Sequence, residues 1–279
     1  MSLMSKLSLS TLLISANLLA ATDAEVIEFL KKGIGKNPSI VSLEMNIIEK
    51  RALAKPEGWQ AYMIELDGRA KVGGQERDIT QSMTYFVKGD IITKELIDMK
   101  SGRSLADAMA PGFKAEYYKK ENLVSGNADA KHKVALFSDP LCPFCRRFIP
   151  EAMEYMRKYP ETFAVYYYHL PLESLHPAAV TLTKAAIAAE HQGRKDVLDA
   201  LYKVEINTRE TDDKKILEAF NKTLNTNIGI SDIKNRSVEA QFLNDKKIAR
   251  AMMVNGTPTM FLDGKKDASK QLYKKVEVK

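Results

Sequence analysis

Apolar and polar positions divide the chain into stretches of different period. Leu7 to Ala21 is an apolar run broken only by serines, a threonine and an asparagine. It follows a start carrying a single positive charge and leads into small residues at Ala20, Ala21 and Ala24. This is the pattern of a secretory signal peptide, assigned to residues 1–24, and the run is too short and too rich in hydroxyls for a spanning helix. From Glu25 to Lys32 the apolar residues Val26, Ile27, Phe29 and Leu30 share one face of a short helix, ended by Gly33 and Gly35. Strand patterns follow. Trp59 to Leu66 closes at Asp67-Gly68, Ile79 to Val87 at Lys88-Gly89-Asp90, and Ile91 to Met99 at Ser101-Gly102, which predicts antiparallel strands joined by tight turns. Residues 25–103 therefore read as a small α+β domain without a cysteine or histidine. The region 104–130, polar from Tyr117 onward through Ser125-Gly126-Asn127, reads as a linker.

Strands and helices alternate over residues 131–279. Val134 to Phe137 is a short buried strand ending at Ser138-Asp139-Pro140, and the helix after Cys142 places Phe148, Ala152, Tyr155 and Met156 on one side. Phe163 to Leu170 is a second buried strand. Helices then fit a block from Glu173 to Gly193, Lys195 to Val204, Asp212 to Phe220 and Ser231 to Met253, before a strand over Thr259 to Leu262 that turns at Asp263-Gly264. A β-α-β start, a helical insertion and a late hairpin make an α/β domain.

With 279 residues, 45% of them hydrophobic and 28% charged, the chain has enough material for two cores. The net charge of +6 is spread along the whole length and gives no support to nucleic-acid binding. The cysteines matter more. There are two, Cys142 and Cys145, too few for a disulfide-rich scaffold or a multi-cysteine metal protein. A structural disulfide closing so short a loop would remove little unfolded-state entropy. A zinc site would need two further ligands, and His132, His169, His176 and His191 form no compact pairing. No metal is expected. His169 and His176, which flank Leu170-Pro171-Leu172, read as core or turn-capping residues.

Cys142 falls at the expected N-cap of a helix, with Pro143 at the first helical position, where its missing N–H costs nothing. Backbone N–H groups of Phe144 and Cys145 then point toward the Cys142 sulfur, and the positive end of the helix favours a thiolate there. Cys145 lies on the same face one turn deeper, shielded yet close enough to attack a mixed disulfide on Cys142. The spacing thus predicts Cys142 as nucleophile and Cys145 as resolving thiol.

The run from Phe137 to Cys145, Phe-Ser-Asp-Pro-Leu-Cys-Pro-Phe-Cys, resembles the active site of the periplasmic Dsb thiol:disulfide interchange proteins, in the DsbC/DsbG branch. Gly256-Thr257-Pro258-Thr259 is similar to that family's cis-proline loop. The resemblance implies a thioredoxin-like catalytic domain with a helical insertion, preceded by a dimerisation domain. It also implies a cis bond at Thr257-Pro258 beside Cys142, with both residues contacting a bound peptide. His169-Leu170-Pro171-Leu172 and His176-Pro177-Ala178-Ala179 look more like the insertion of DsbA-type oxidases, which leaves the direction of electron flow open. Thioredoxin and DsbA carry a buried acid six residues before the nucleophile; Leu136 stands there, the nearest carboxylate is Asp139, and no proton shuttle is assigned. Pro143 and Phe144 are expected to tune the site, since Phe144 has no polar atom to offer the thiolate. The function implied is that of an exported homodimer, without dissolved cofactor, that isomerises or reduces non-native disulfides. Its implied partners are unfolded or mis-disulfided secreted proteins and a membrane redox partner of DsbD or DsbB type. A DsbA-like oxidase and a secreted chaperone with incidental cysteines are the alternatives.

Overall fold

The computed structural model describes residues 21–278, so the expected signal peptide lies outside the described residues up to its last few positions. Those last positions are already structured. Helix α1 (Asp23–Ile34) starts before Glu25 because Thr22 and Glu25 form a reciprocal cap: the Glu25 N–H donates to Thr22 Oγ1 at 3.3 Å, and the Thr22 N–H donates to the Glu25 carboxylate at 2.7 Å.

Four antiparallel strands follow in the order β1 (Ile40–Ala52), β2 (Gln60–Val72), β3 (Gln75–Lys88), β4 (Ile91–Thr93). The first was not visible in the sequence. Register shifts between Ile40 and Ser42 and between Ile47 and Glu49 break its alternation. Asp67-Gly68 is not the expected turn. Gly68 lies inside β2, where a Cβ would come within 2.1 Å of the Ser42 carbonyl oxygen, so the strands approach more closely than a side chain allows. The turn is Gly73-Gly74, with both residues at positive φ. Val26 and Leu30 of α1 pack on Met45, Tyr62, Ile64, Leu66, Tyr85 and Val87. Ala61, Met63 and Phe86 are also fully buried, so the opposite face of this sheet is not bare.

A small hairpin of β5 (Ile97–Asp98) and β6 (Arg103–Ser104) leads into the region expected as a linker. That region is built into the second core. Phe113 is buried against Phe137, Tyr168 and Phe261, Asn122 is buried, and β7 (Leu123–Ser125) pairs with a strand of the second sheet.

That sheet runs in the order β11 (Lys265–Lys266), β10 (Thr259–Leu262), β8 (His132–Ser138), β9 (Phe163–His169), β7, and only β8 and β9 are parallel. Its central strands β8 and β9 are buried on both faces, which explains their uninterrupted apolar runs. Val134, Leu136, Val165, Tyr167 and Met260 face the core formed with α2 (Pro143–Arg157) and the helical insertion. Ala135, Phe137, Ala164, Tyr168 and Phe261 face the other way. The insertion comprises α3 (Ala178–His191), α4 (Val197–Leu201), α5 (Asp213–Leu224) and α6 (Ile230–Ile233). The single helix expected from Ser231 to Met253 is divided, because the Asn235 side chain accepts from the Ser237 N–H and starts α7 (Arg236–Ala251) afresh.

The two sheets are tied together at α7 and the loop after it. The Arg250 guanidinium binds Glu65 and Asp67 of β2 at 2.7 Å, and Asn255 Nδ2 donates to the Ser82 carbonyl of β3 at 3.2 Å. Among the described residues no helix is long and apolar enough to cross a membrane.

Candidate active site

The site grows from the end of β8. Ser138 closes the strand, Asp139 to Leu141 form a turn, and Cys142 is the N-cap of α2 with Pro143 following it. No side chain caps this helix, so its first N–H groups are left without a capping partner at the end where Cys142 stands. Cys142 is 4% exposed and Cys145 fully buried; both are free thiols. Pro143 and Phe144 stand at the surface beside them, Phe144 being 63% exposed.

The turn is held by Asp139, whose weight the sequence did not reveal. Its carboxylate is fully buried, and it accepts hydrogen bonds from the N–H groups of Leu141 at 2.7 Å, Cys142 at 3.2 Å and Leu172 at 2.7 Å, and from His176 Nδ1 at 2.9 Å. It is therefore structural, binding the Cys142 turn to the start of the insertion, and His176 is its turn-capping partner. An aspartate directly after a strand and before proline was the available signal. Arg146 reinforces the same join, donating to the carbonyls of Pro140 and Val204.

Thr257-Pro258 is a cis peptide, and the Thr257 carbonyl accepts from the Cys142 sulfur at 3.6 Å. The geometry thus brings Cys142, Cys145, Thr257 and Pro258 together. Cys145 is pushed up to about 12, chiefly by burial, with the neighbouring Asp139 backbone and Ser138 side chain acting against the rise. Beyond Ser138 lies a group that nothing in the sequence announced: Ser138 Oγ is 2.6 Å from the Tyr202 hydroxyl, which is 2.6 Å from that of Tyr167. The remaining histidines lie elsewhere. His132 pairs with Asp263, His191 with Gln241, and His169 is buried in β9. Among the described residues no group of three His, Cys, Asp or Glu side chains could hold a metal ion.

Next to the cis-proline loop is a cleft of about 390 Å³. Gly256 to Thr259 form one wall, and Ser82 to Thr84 of β3 form the other, with Met83, Met109 and Met253 among its lining.

A strand-loop-helix carrying two thiols beside a cis-proline loop, on a five-stranded sheet, meets its sequence counterpart in the family comparison. Residues 119–277 match the family described as thioredoxin. The chain belongs to the thioredoxin family. The match begins just before β7, inside the region expected as a linker, and leaves the first sheet outside the family. Curated relatives of this thioredoxin-family chain include the Na(+)/H(+) antiporter NhaA 1 of Mycolicibacterium gilvum, 27% identical over 144 residues, which are 51% of this chain and 23% of that protein. NhaA 3 of Salinispora tropica is 28% identical over 144 residues, 51% of this chain and 22% of that protein. The chain thus spans less than a quarter of the length of these relatives. Similar solved structures include oxidised BdbD from Bacillus subtilis, with 16% identity, coverage of 61% of this chain and 95% of that one, and a TM-score of 0.49. The catalytic domain of Proteus mirabilis ScsC shares 24% identity, covering 61% and 90% with a TM-score of 0.41. DsbA2 of Pseudomonas aeruginosa shares 20%, covering 53% and 84% with a TM-score of 0.40.

Proposed function

We propose that the chain is a thiol:disulfide oxidoreductase acting on polypeptide disulfides, in the isomerising or reducing direction. The observation that carries this reading is the placement of Cys142 at the uncapped N-terminus of α2, against the Thr257 carbonyl, with Cys145 buried behind it. As thiolate, Cys142 attacks one sulfur of a client disulfide and forms a mixed disulfide, while the other client sulfur leaves and takes up a proton. Rearrangement within the client then frees Cys142, or Cys145 attacks it and the enzyme leaves as a Cys142–Cys145 disulfide with the client reduced by two electrons. No dissolved cofactor enters either route.

Two features support the isomerising or reducing direction. Burial holds the Cys145 thiol protonated, so release is slow and the mixed disulfide has time to rearrange. Phe144 offers the Cys142 sulfur no hydrogen bond, which leaves the reduced form less stabilised and the disulfide less oxidising. The client segment would lie in the cleft between the cis-proline loop and β3, where methionines adapt to varied side chains. The helical insertion α3 to α6 supports the second reading, a DsbA-like oxidase.

The rest of the proposal concerns context. The protein is exported by the segment at residues 1–24, takes clients among secreted proteins, and exchanges electrons with a membrane partner of DsbD or DsbB type. It forms a homodimer through residues 25–103, as in the DsbC/DsbG branch. Phe29 and Ile91, 62% and 64% exposed, flank a cleft of about 720 Å³ that a second copy would cover.

Refolding of a scrambled multi-disulfide protein tests the function. The whole chain should restore native pairing, and a Cys142→Ser, Cys145→Ser variant should not. If that variant only suppresses aggregation, and does so as well as the wild type while neither restores pairing, the protein is a chaperone. The redox state of the two cysteines in cells decides the direction, reduced for an isomerase and oxidised for an oxidase.

A further inference from the structure

Cys145 poses a chemical problem. It must become a thiolate to resolve a mixed disulfide, yet it is fully buried in an apolar core, where an unpaired charge is costly. No carboxylate serves it. Leu136 occupies the position six residues before the nucleophile, and both Asp139 oxygens already accept from Leu141, Cys142, Leu172 and His176.

The surroundings supply hydroxyls instead. The Ser138 side chain acts against the rise of the Cys145 thiol, and the Thr257 hydroxyl is buried without a hydrogen-bond partner. Ser138 Oγ continues to Tyr202 Oη at 2.6 Å and from there to Tyr167 Oη at 2.6 Å, and these three residues are at most 6% exposed. Burial raises both phenols above their usual range, so they keep their protons and act as donors rather than bases. A string of hydroxyls facing an anion has one favourable orientation: Tyr167 donates to Tyr202, Tyr202 to Ser138, and Ser138 to the sulfur. Each bond polarises the next. The other titratable group facing Cys145 is Cys142, and Glu190 acts on Tyr167 from α3.

We propose that Ser138, Tyr202 and Tyr167 form a donor string that stabilises the Cys145 thiolate and thereby sets the rate at which Cys145 resolves the mixed disulfide on Cys142. This rests on the oxidoreductase reading above. In the step concerned Cys145 loses its proton and attacks the Cys142 sulfur. The Cys142–client bond breaks, the Cys142–Cys145 bond forms, and the client sulfur leaves with the bonding pair and takes up one proton. Ser138 is the end of the string assigned to the reacting sulfur; Tyr202 and Tyr167 are positioning residues.

The test uses glutathione disulfide as the probe. The rate of forming the glutathione adduct on Cys142 is measured in a Cys145→Ala background, and closure of the adduct to the internal disulfide is followed against pH in the otherwise wild-type chain. Tyr202→Phe, which keeps the ring, should slow closure about tenfold, the loss expected on removing a hydrogen bond toward a charged group, and move its pH profile upward. Tyr167→Phe should do the same to a smaller degree, with adduct formation unchanged in both tyrosine variants, and Ser138→Ala should slow closure further. Wild-type closure and an unshifted pH profile in Tyr202→Phe would overturn the proposal, and that isosteric change keeps the test open if Ser138→Ala fails to fold. Absence of any adduct on Cys142 in the parent chain would overturn the oxidoreductase reading itself, a different failure.

Discussion

The Thr257 carbonyl oxygen accepts a hydrogen bond from the Cys142 sulfur at 3.6 Å across 115 residues of sequence. One end of this contact is fixed by the cap of α2 and the other by the entry to β10, so the loop and Cys142 share the sheet beneath them. Under the proposed function, a client strand pairing with the loop backbone would be delivered to this sulfur.

The proposed function gives the two thiols unequal roles. Cys145→Ala should accumulate mixed disulfides with client proteins, because nothing remains to resolve them, and Cys142→Ala should accumulate none. Non-reducing gels after acid quenching read the adducts directly. Equal amounts from both variants would reverse the assignment.

Phe144 is exposed, so its replacement by histidine costs little packing and adds a hydrogen-bond donor near the Cys142 sulfur. Phe144→His should stabilise the reduced form and make the disulfide more oxidising, by about 30 mV for each 1.4 kcal/mol gained. Equilibration with a glutathione redox buffer measures it. An unchanged or more negative potential would show that the side chain at this position does not reach the sulfur.

Legibility from sequence followed the range of the interactions. The placement of Cys142 at a strand–turn–helix junction was readable because a strand, a cap, a proline and the cysteine spacing are consecutive in the chain. The second sheet was readable from apolar runs buried on both faces. What failed depends on contacts across distance or on broken period: β1 is masked by its register shifts, Asp67-Gly68 resembles a turn until the Ser42 backbone is seen against it, and the polar stretch before Lys133 conceals β7. Asp139 was noted as the nearest carboxylate, but its four partners come partly from Leu172 and His176. Tyr202 lies in the insertion, 64 residues from Ser138, and no local pattern marks it.

A buried carboxylate outside the active site should set the acid behaviour of the fold. Asp245 of α7 is pushed up to about 6 chiefly by burial, against the nearby His169, the His169 N–H and the Asn122 side chain. Its ordinary value is 3.8, so the folded state holds the proton more tightly than the unfolded chain. Stability from this group is therefore present at low pH and lost as pH rises through about 6. Relative to Asp245→Asn, which cannot titrate, the wild type should gain about 2 kcal/mol between about pH 7 and about pH 4. Urea midpoints of both proteins at the two pH values check the sign, and a pH-independent difference would place the Asp245 proton elsewhere.

Where the catalytic unit begins determines whether it can be studied alone. A chain starting at Ala128 removes β7 from the sheet edge, the Asn122 amide from Asp245 and the Tyr167 carbonyl, and the Phe113 ring from a cluster with Phe137, Tyr168 and Phe261. Loss of a buried phenylalanine alone costs about 3 to 5 kcal/mol, a large share of the stability of a domain this size. A chain starting at Met109 retains all three. The longer chain should therefore unfold cooperatively at a clearly higher urea concentration than the shorter one, and it should keep the dithiol exchange of the whole protein. It should also be monomeric by light scattering while the whole protein is dimeric, because it lacks Phe29 and Ile91 and the cleft between them. With the cleft wall of β3 gone as well, its isomerisation of a scrambled substrate should fall while its simple reduction of a small disulfide holds. A whole protein that is monomeric at micromolar concentration would remove the dimer from the proposal. A Met109 chain that isomerises as well as the whole would show that the first sheet has no part in holding clients, and the oxidase reading would then be the better account of the site.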